Sequence, residues 1–453
     1  MKVNRRSPRA TWLGGHLGSF GRDPLGFLES TARDYGDVVP LRFFNQPVIL
    51  LNDASLIEEV LATKSKSFRK TIGYRTPFMR RLFGQGLLTS EGEFWTRQRR
   101  LAQPAFHRDR INTYARWIVE FASRALDSWA AAETRPIHRD MMRLTTEVVV
   151  KSLFNSGVPR EIENLDNASA VVMKKFTEQW SGLRMLLLLL PTRSSRQFER
   201  VMGELDQYIH GLIQERRVSG LDTGDLLSML LKVRDDDGTG MSDRQLRDEL
   251  VTLMVAGLDT TALALSWSFY LLARHPHIQQ RLVDETREAL GGRPPEMADM
   301  PRLKMAEAVI KETMRLYPPG WILGRESMQE VELGGERYRA GTSFIMSQWI
   351  KHRDGRHFPG PLEFRPERWL DTETKLPKFA YFPFGGGPRI CIGNAFAMLE
   401  AVLVLSMVAQ KFRVSCEPDY VVRPFPSITL QPEGGIHLRV ERHFLPEREL
   451  QAA

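Results

Sequence analysis

Cysteine is scarce in this 453-residue chain, which has only Cys391 and Cys416. Two lone thiols in so long a chain exclude a disulfide framework and fit a reducing compartment. The start also lacks an apolar run. Met1 to Arg9 is basic, and the residues after it hold neither the roughly 7–15 apolar residues of a secretory signal nor the about 20 of a membrane span. The most apolar short stretch, Met185 to Leu190, is cut off by Pro191. These absences predict a cytoplasmic protein with no membrane anchor. There is no internal repeat, low-complexity tract or Gly/Ser linker, so a single domain over 1–453 is expected. Hydrophobic residues at 42% and charged residues at 26% place the chain in the globular range, not the disordered one. A net charge of +8 suits nucleic acid, an anionic surface or an acidic partner. Asp and Glu are mixed among the basic residues throughout, which argues against nucleic-acid binding.

Periodicity divides the chain into a mainly α body with small β-rich parts near 38–51, 325–347 and 412–440. Val38 to Phe43 and Pro47 to Leu51, separated by Asn45-Gln46, read as a hairpin. The strongest helix signal runs from Ser242 to Arg274. Ser242 and Gln245 form a capping-box pattern at its start, and His275-Pro276 closes it. At about 1.5 Å per residue this helix is nearly 50 Å long and must pass through the core. Gly257, Asp259, Thr260 and Thr261 interrupt its middle, and a polar or ionisable group there needs a reason. The acidic turn Asp235-Asp236-Asp237-Gly238 is not a calcium loop, because Leu246 stands at the twelfth position where a bidentate Glu is required. It reads as a solvated turn.

The most informative segment is Phe384-Gly385-Gly386-Gly387-Pro388-Arg389-Ile390-Cys391-Ile392-Gly393. Three glycines and a proline force an irregular backbone ahead of the sulfur, and an amphipathic helix follows Gly393. A thiol at a helix N-terminus is shifted toward thiolate, and loop N–H groups can be aimed at it. Cys416 has no such setting and reads as structural.

This segment resembles the haem-ligand signature Phe-x-x-Gly-x-Arg-x-Cys-x-Gly of the cytochrome P450 superfamily at every fixed position. Ala256-Gly257-Leu258-Asp259-Thr260-Thr261 resembles the family's oxygen-activation motif, in which Thr260 bonds back to the Ala256 carbonyl and Asp259 and Thr260 relay protons. Gly257 would let a small ligand approach the backbone. Glu312-Thr313-Met314-Arg315, with Phe364 to Trp369 downstream, resembles the family's Glu-x-x-Arg region and implies a buried network of Glu312, Arg315 and Arg368.

The resemblance implies a mainly α triangular-prism fold with small sheets around haem b, ligated by Cys391. Phe384 and Gly393 belong to the same signature. Carboxylates of the haem call for charge-assisted donors, and the expected ones are Trp95, Arg99, Arg325, His352 and Arg389. The expected substrate walls are Phe78, Leu82, Phe83, Leu87, Val255, Ala256, Trp321, Ile322 and Ile428, all apolar, so the substrate should be lipophilic: a fatty acid, a terpenoid or carotenoid, or a steroid. The implied activity is insertion of one oxygen atom from O2 by a monomeric enzyme. Electrons would come from a separate ferredoxin or flavodoxin with its NAD(P)H reductase, docking on a basic cluster of Arg97, Arg100, Arg108 and Arg110. A peroxide-using peroxygenase and a non-enzymatic haem-thiolate sensor are the alternatives. Keeping both Asp259 and Thr260 favours the oxygen-dependent route.

Overall fold

The computed structural model describes residues 6–156, 171–176, 192–235, 238–371 and 375–443. Met185 to Leu190 and the pair Asp236 and Asp237 therefore lie outside the described residues. The helices that shape the interior are α1 (Pro77–Phe83), α2 (Gly92–Ala102), α3 (Arg108–Asp127), α4 (Ile137–Phe154), α5 (Arg193–Ser219), α6 (Asp243–Arg274), α7 (Pro276–Leu290), α8 (Lys304–Leu316) and α9 (Asn394–Lys411).

Helix α6 begins where its cap residues dictate. The Ser242 hydroxyl accepts from the Gln245 N–H at 3.3 Å, and the Gln245 side chain accepts from the Ser242 N–H at 2.8 Å. It ends at His275, and Pro276 at once starts α7, a position that needs no N–H. Both α6 and α9 are long and apolar enough to cross a bilayer, yet 78% and 67% of their most apolar windows are buried inside the protein. They are core helices. Apolar residues from α3, α4, α6, α7, α8 and α9 form one continuous core, centred on fully buried Trp267.

The strands are β1 (Val38–Phe43), β2 (Gln46–Leu51), β3 (Phe68–Lys70), β4 (Ala132–Pro136), β5 (Leu323–Ser327), β6 (Val331–Leu333), β7 (Glu336–Tyr338), β8 (Ser343–Met346), β9 (Phe412–Ser415), β10 (Pro424–Pro426), β11 (Leu430–Pro432) and β12 (His437–Arg442). Five of them make one sheet in the order β1-β2-β8-β5-β3, with only β2 and β8 parallel. The hairpin turn falls one residue earlier than its sequence suggests. Gln46 already pairs with Phe43, and Phe44 takes the left-handed conformation at φ 52°. The three β-rich regions are where their patterning placed them.

The Glu-x-x-Arg pair of α8 lies at the centre of a buried network. The Glu312 carboxylate accepts from Arg315 Nε and Nη2 (2.9 Å each), the Arg365 N–H (3.0 Å) and Arg368 Nε (3.0 Å). The indole of Trp369 donates to it as well, at 2.8 Å, so this residue bonds rather than merely packs. Arg315 reaches on to the carbonyls of His352, Pro361 and Glu363. Glu312 and Arg315 have no solvent exposure. Removing one member of such a network strands the other charge without water, at a cost of about 3–5 kcal/mol. Glu312→Gln should therefore lower the urea midpoint by a large step. Glu307→Gln, which breaks the solvent-exposed pair with Lys311, should cost under about 1 kcal/mol.

Candidate active site

The Cys391 loop takes its shape from two glycines. Gly385 and Gly387 both have positive φ (70° and 67°), and a Cβ on Gly387 would overlap the Leu61 carbonyl. Only glycine meets both demands. The loop closes through the Cys391 N–H, which donates to the Phe384 carbonyl at 3.0 Å, and α9 begins three residues beyond the sulfur. Cys391 lies on the wall of a cavity of about 410 Å³ that runs between α6 and this loop. Burial pushes its thiol pKa up, against the opposing effects of the Gly393 N–H and the Arg99 charge.

Two chemically different sets of side chains line the cavity. One is cationic or donating: Lys70, Trp95, Arg99, Arg325 and Arg389. Arg389 stacks on the Trp95 ring at 4.3 Å and forms an ion pair with Glu91, yet its buried Nη1 has no partner. Burial lowers the pKa of all three arginines. Among the described residues, neither Arg99 nor Arg325 has a carboxylate within ion-pairing distance. Arg325 also sits directly opposite Lys70 across the β3–β5 ladder, a like-charge pairing that is unfavourable on its own. Three guanidiniums on one wall, of which only Arg389 has a carboxylate partner, leave room for an anionic guest, and the propionates of a haem fit that donor set. Phe384 and Gly393 line the same cavity.

The second set is apolar and includes Leu87, Leu88, Leu253, Ala256 and Ile322. Several expected wall residues are elsewhere. Phe78, Leu82 and Phe83 are buried in the core between α1, α5 and α6, with Phe78 packed on Phe198. Trp321 lies in the sheet core, its indole donating to the Ser427 carbonyl at 2.9 Å. Val255 and Ile428 are partly buried against the same core as Phe78. Apolar character alone does not separate a cavity wall from core.

The α6 motif is divided in the same way. Thr260 lines the cavity, and its hydroxyl donates to the Ala256 carbonyl at 2.7 Å, the back-bond expected of it. Asp259 faces away. Its carboxylate accepts from Thr429 Oγ1 (2.5 Å) and Gln431 Nε2 (2.9 Å), which ties the β10–β11 hairpin to the helix. Successive helix residues point about 100° apart, and here Asp259 turns to the hairpin while Thr260 turns to the cavity. Gly257 lines the cavity as well, and a Cβ there would press on Val149 of α4 at 3.0 Å, so the glycine also eases the close packing of the two helices.

His352 is also corrected. It is fully buried outside the cavity, where Nε2 accepts from the Phe382 N–H at 2.9 Å and Nδ1 faces the Met314 carbonyl at 3.4 Å. It steadies the stretch leading into Phe384. The basic cluster is partly neutralised as well. Arg97 and Arg100 both bind Asp235, so this residue is a fastening rather than a solvated side chain, and Arg110 reaches the Gly224 carbonyl. Glu91 was not legible in the sequence. It sits just before α2, accepts from the Lys70 N–H at 2.7 Å and orients Arg389, but no motif marks it.

Over residues 6–439 the chain matches the family model described as Cytochrome P450. The chain belongs to the cytochrome P450 family. It is similar to three Streptomyces proteins. The "Cyclooctatin synthase" of Streptomyces melanosporofaciens is 36% identical, covering 94% of this chain and 93% of the relative. The "Cyclooctat-9-en-7-ol 5-monooxygenase" of the same organism is 35% identical over 94% and 90%. The "Pentalenene oxygenase" of Streptomyces avermitilis is 32% identical over 96% of each. As a P450 this chain is a monooxygenase, an oxidoreductase, and the family implies a cysteine-ligated haem.

His352 gives this P450 a pH dependence. Burial lowers its pKa to about 3, so it stays neutral in the fold while an unfolded histidine titrates near 6.5. Its contribution to stability is full above about 6.5 and is lost as pH falls toward 3. His352→Gln, which keeps an acceptor for the Phe382 N–H, should flatten the acid limb of urea stability measured between about pH 8 and 4. An identical limb in both proteins would assign the acid sensitivity to other groups.

Proposed function

We propose that this P450 hydroxylates a terpenoid, taking one oxygen atom from O2 and electrons from a separate redox partner. The observation that carries this reading is the shared cavity, with Cys391 and the arginine-rich wall on one side and Thr260 beside apolar walls on the other. The apolar walls suit a lipophilic substrate, and the relatives named for cyclooctat-9-en-7-ol and pentalenene favour a terpenoid over a fatty acid or steroid.

Cys391 is the proposed iron ligand, with haem b as the bound form. Trp95, Arg99, Arg325 and Arg389 would hold its propionates. A thiolate-bound haem supplies oxygen activation, since the thiolate pushes electron density toward the O–O bond. Thr260 would present its hydroxyl to the cavity and pass protons inward. Asp259 has its carboxylate committed to Thr429 and Gln431, which leaves the proton role with Thr260. The apolar walls exclude water and orient the substrate carbon. The free charge for an acidic ferredoxin or flavodoxin on α2 is reduced by Asp235.

Cys391→His should give folded protein that lacks the red-shifted carbonyl spectrum of a thiolate-bound haem; a retained spectrum would remove Cys391 as ligand. Thr260→Ala should leave haem content unchanged while shifting electron consumption from product to hydrogen peroxide, by roughly the 10²–10⁴-fold worth of a positioned proton donor at most. Unchanged coupling would withdraw its role. For the substrate, cyclic sesquiterpenes and diterpenes should shift the Soret band at lower concentration than fatty acids or steroids. The reverse order would overturn the terpenoid assignment.

A further inference from the structure

The segment Gly84 to Ser90 crosses the N-terminal half of α6 and is fastened by buried charged groups from two sides. From the helix, Asp248 accepts from the Gln85 N–H at 2.8 Å and Glu249 accepts from the Leu87 N–H at 3.1 Å. The fit leaves no slack, because a Cβ on Gly86 would overlap Thr252 Oγ1 and the Asp248 carbonyl. From the opposite side, Lys70 Nζ donates to the carbonyls of Leu87 (2.8 Å) and Ser90 (2.9 Å). The Leu87 residue is thus held at its N–H by one buried side chain and at its carbonyl by another. Leu87 and Leu88 are also cavity walls. On α6, Glu249, Leu253, Ala256 and Thr260 follow at i, i+4, i+7 and i+11, so the clamp shares a helix face with the cavity.

Stability alone does not account for these groups. Glu249 is 1% exposed and Lys70 is 6% exposed, and the second Glu249 oxygen has no partner. An apolar pair of similar volume would avoid the desolvation that one or two backbone hydrogen bonds only partly offset. What an apolar pair would not supply is a fixed position for Leu87. Burial moves Glu249 up to about 8 and Lys70 down to about 7, and both side chains bond backbone groups of the segment.

We infer that Lys70 and Glu249 are specificity-determining positioning residues, which hold the Leu87–Leu88 wall and so set the shape of the substrate side of the cavity. The inference rests on the haem-site reading above, and its test separates the two. Two probes serve: imidazole, which needs only the iron, and 1-dodecylimidazole, whose tail must also fill the apolar space. In haem-loaded Glu249→Leu, imidazole affinity and the carbonyl spectrum should match the parent; Lys70→Met, which lies beside the cavity arginines, is read by amide exchange alone. The affinity of Glu249→Leu for 1-dodecylimidazole should fall roughly tenfold, and Glu249→Gln, which keeps an acceptor for the Leu87 N–H, should recover most of it. Amide exchange in residues 84–90 should rise in the Leu and Met variants and not in the Gln variant. Unchanged 1-dodecylimidazole affinity, equal loss of both probes, or no recovery with Gln would each overturn the inference. A parent without a thiolate carbonyl spectrum would overturn the haem-site reading, and exchange at 84–90 would still read the clamp.

Discussion

A helix about 48 Å long that is buried over most of its length has to be wrapped by protein, and the rest of this P450 is arranged around that demand. Helices α4, α5, α8 and α9 cover α6 along its length, and the close approach of α4 is eased because Gly257 has no side chain to meet Val149. Where the wrapping is incomplete, a cavity remains, and it opens beside Ala256, Gly257 and Thr260. The candidate active site is thus a gap in the casing of one helix, with the Cys391 loop forming part of its wall.

Burying that helix also means finding partners for the polar groups it carries. Asp248 and Glu249 bind the backbone of the segment that walls the cavity, Asp259 binds the C-terminal hairpin, and Thr260 binds its own helix. Each carboxylate fastens a peripheral segment to the same rod. The same logic operates in α8, where Glu312 gathers Arg315, Arg365, Arg368 and Trp369. Buried charge here serves placement more than net stability. The arginines of the cavity are the exception, since within the described residues only Arg389 has a carboxylate partner. That mismatch distinguishes a site for an anionic cofactor from a structural network.

Much was legible in the sequence because it depends on local rules. The cap of α6, the break at Pro276, the three β-rich regions and the glycine-built Cys391 loop follow from backbone stereochemistry and from hydrogen bonds between near neighbours. The Glu312 network was legible through the resemblance of Glu312 to Arg315 and Phe364 to Trp369 to the family pattern, although the role of Trp369 as a donor was not. Trp95, Arg99, Arg325 and Arg389 do line one cavity.

What only the tertiary structure decided is which way equivalent side chains face. Phe78 and Leu87 are both apolar residues of one short stretch, yet one packs on Phe198 and the other walls the cavity. Asp259 and Thr260 are adjacent in sequence and face different partners, because a helix turns each successive residue by about 100°. His352 found two backbone groups before it could meet a cofactor, and Arg97 and Arg100 found Asp235 across more than a hundred residues of chain. Residue type and spacing by themselves determined the family's chemistry and the local conformations that carry it. Contacts between distant segments determined which of those residues reach the site, because burial and partnering are settled by whatever the fold brings alongside.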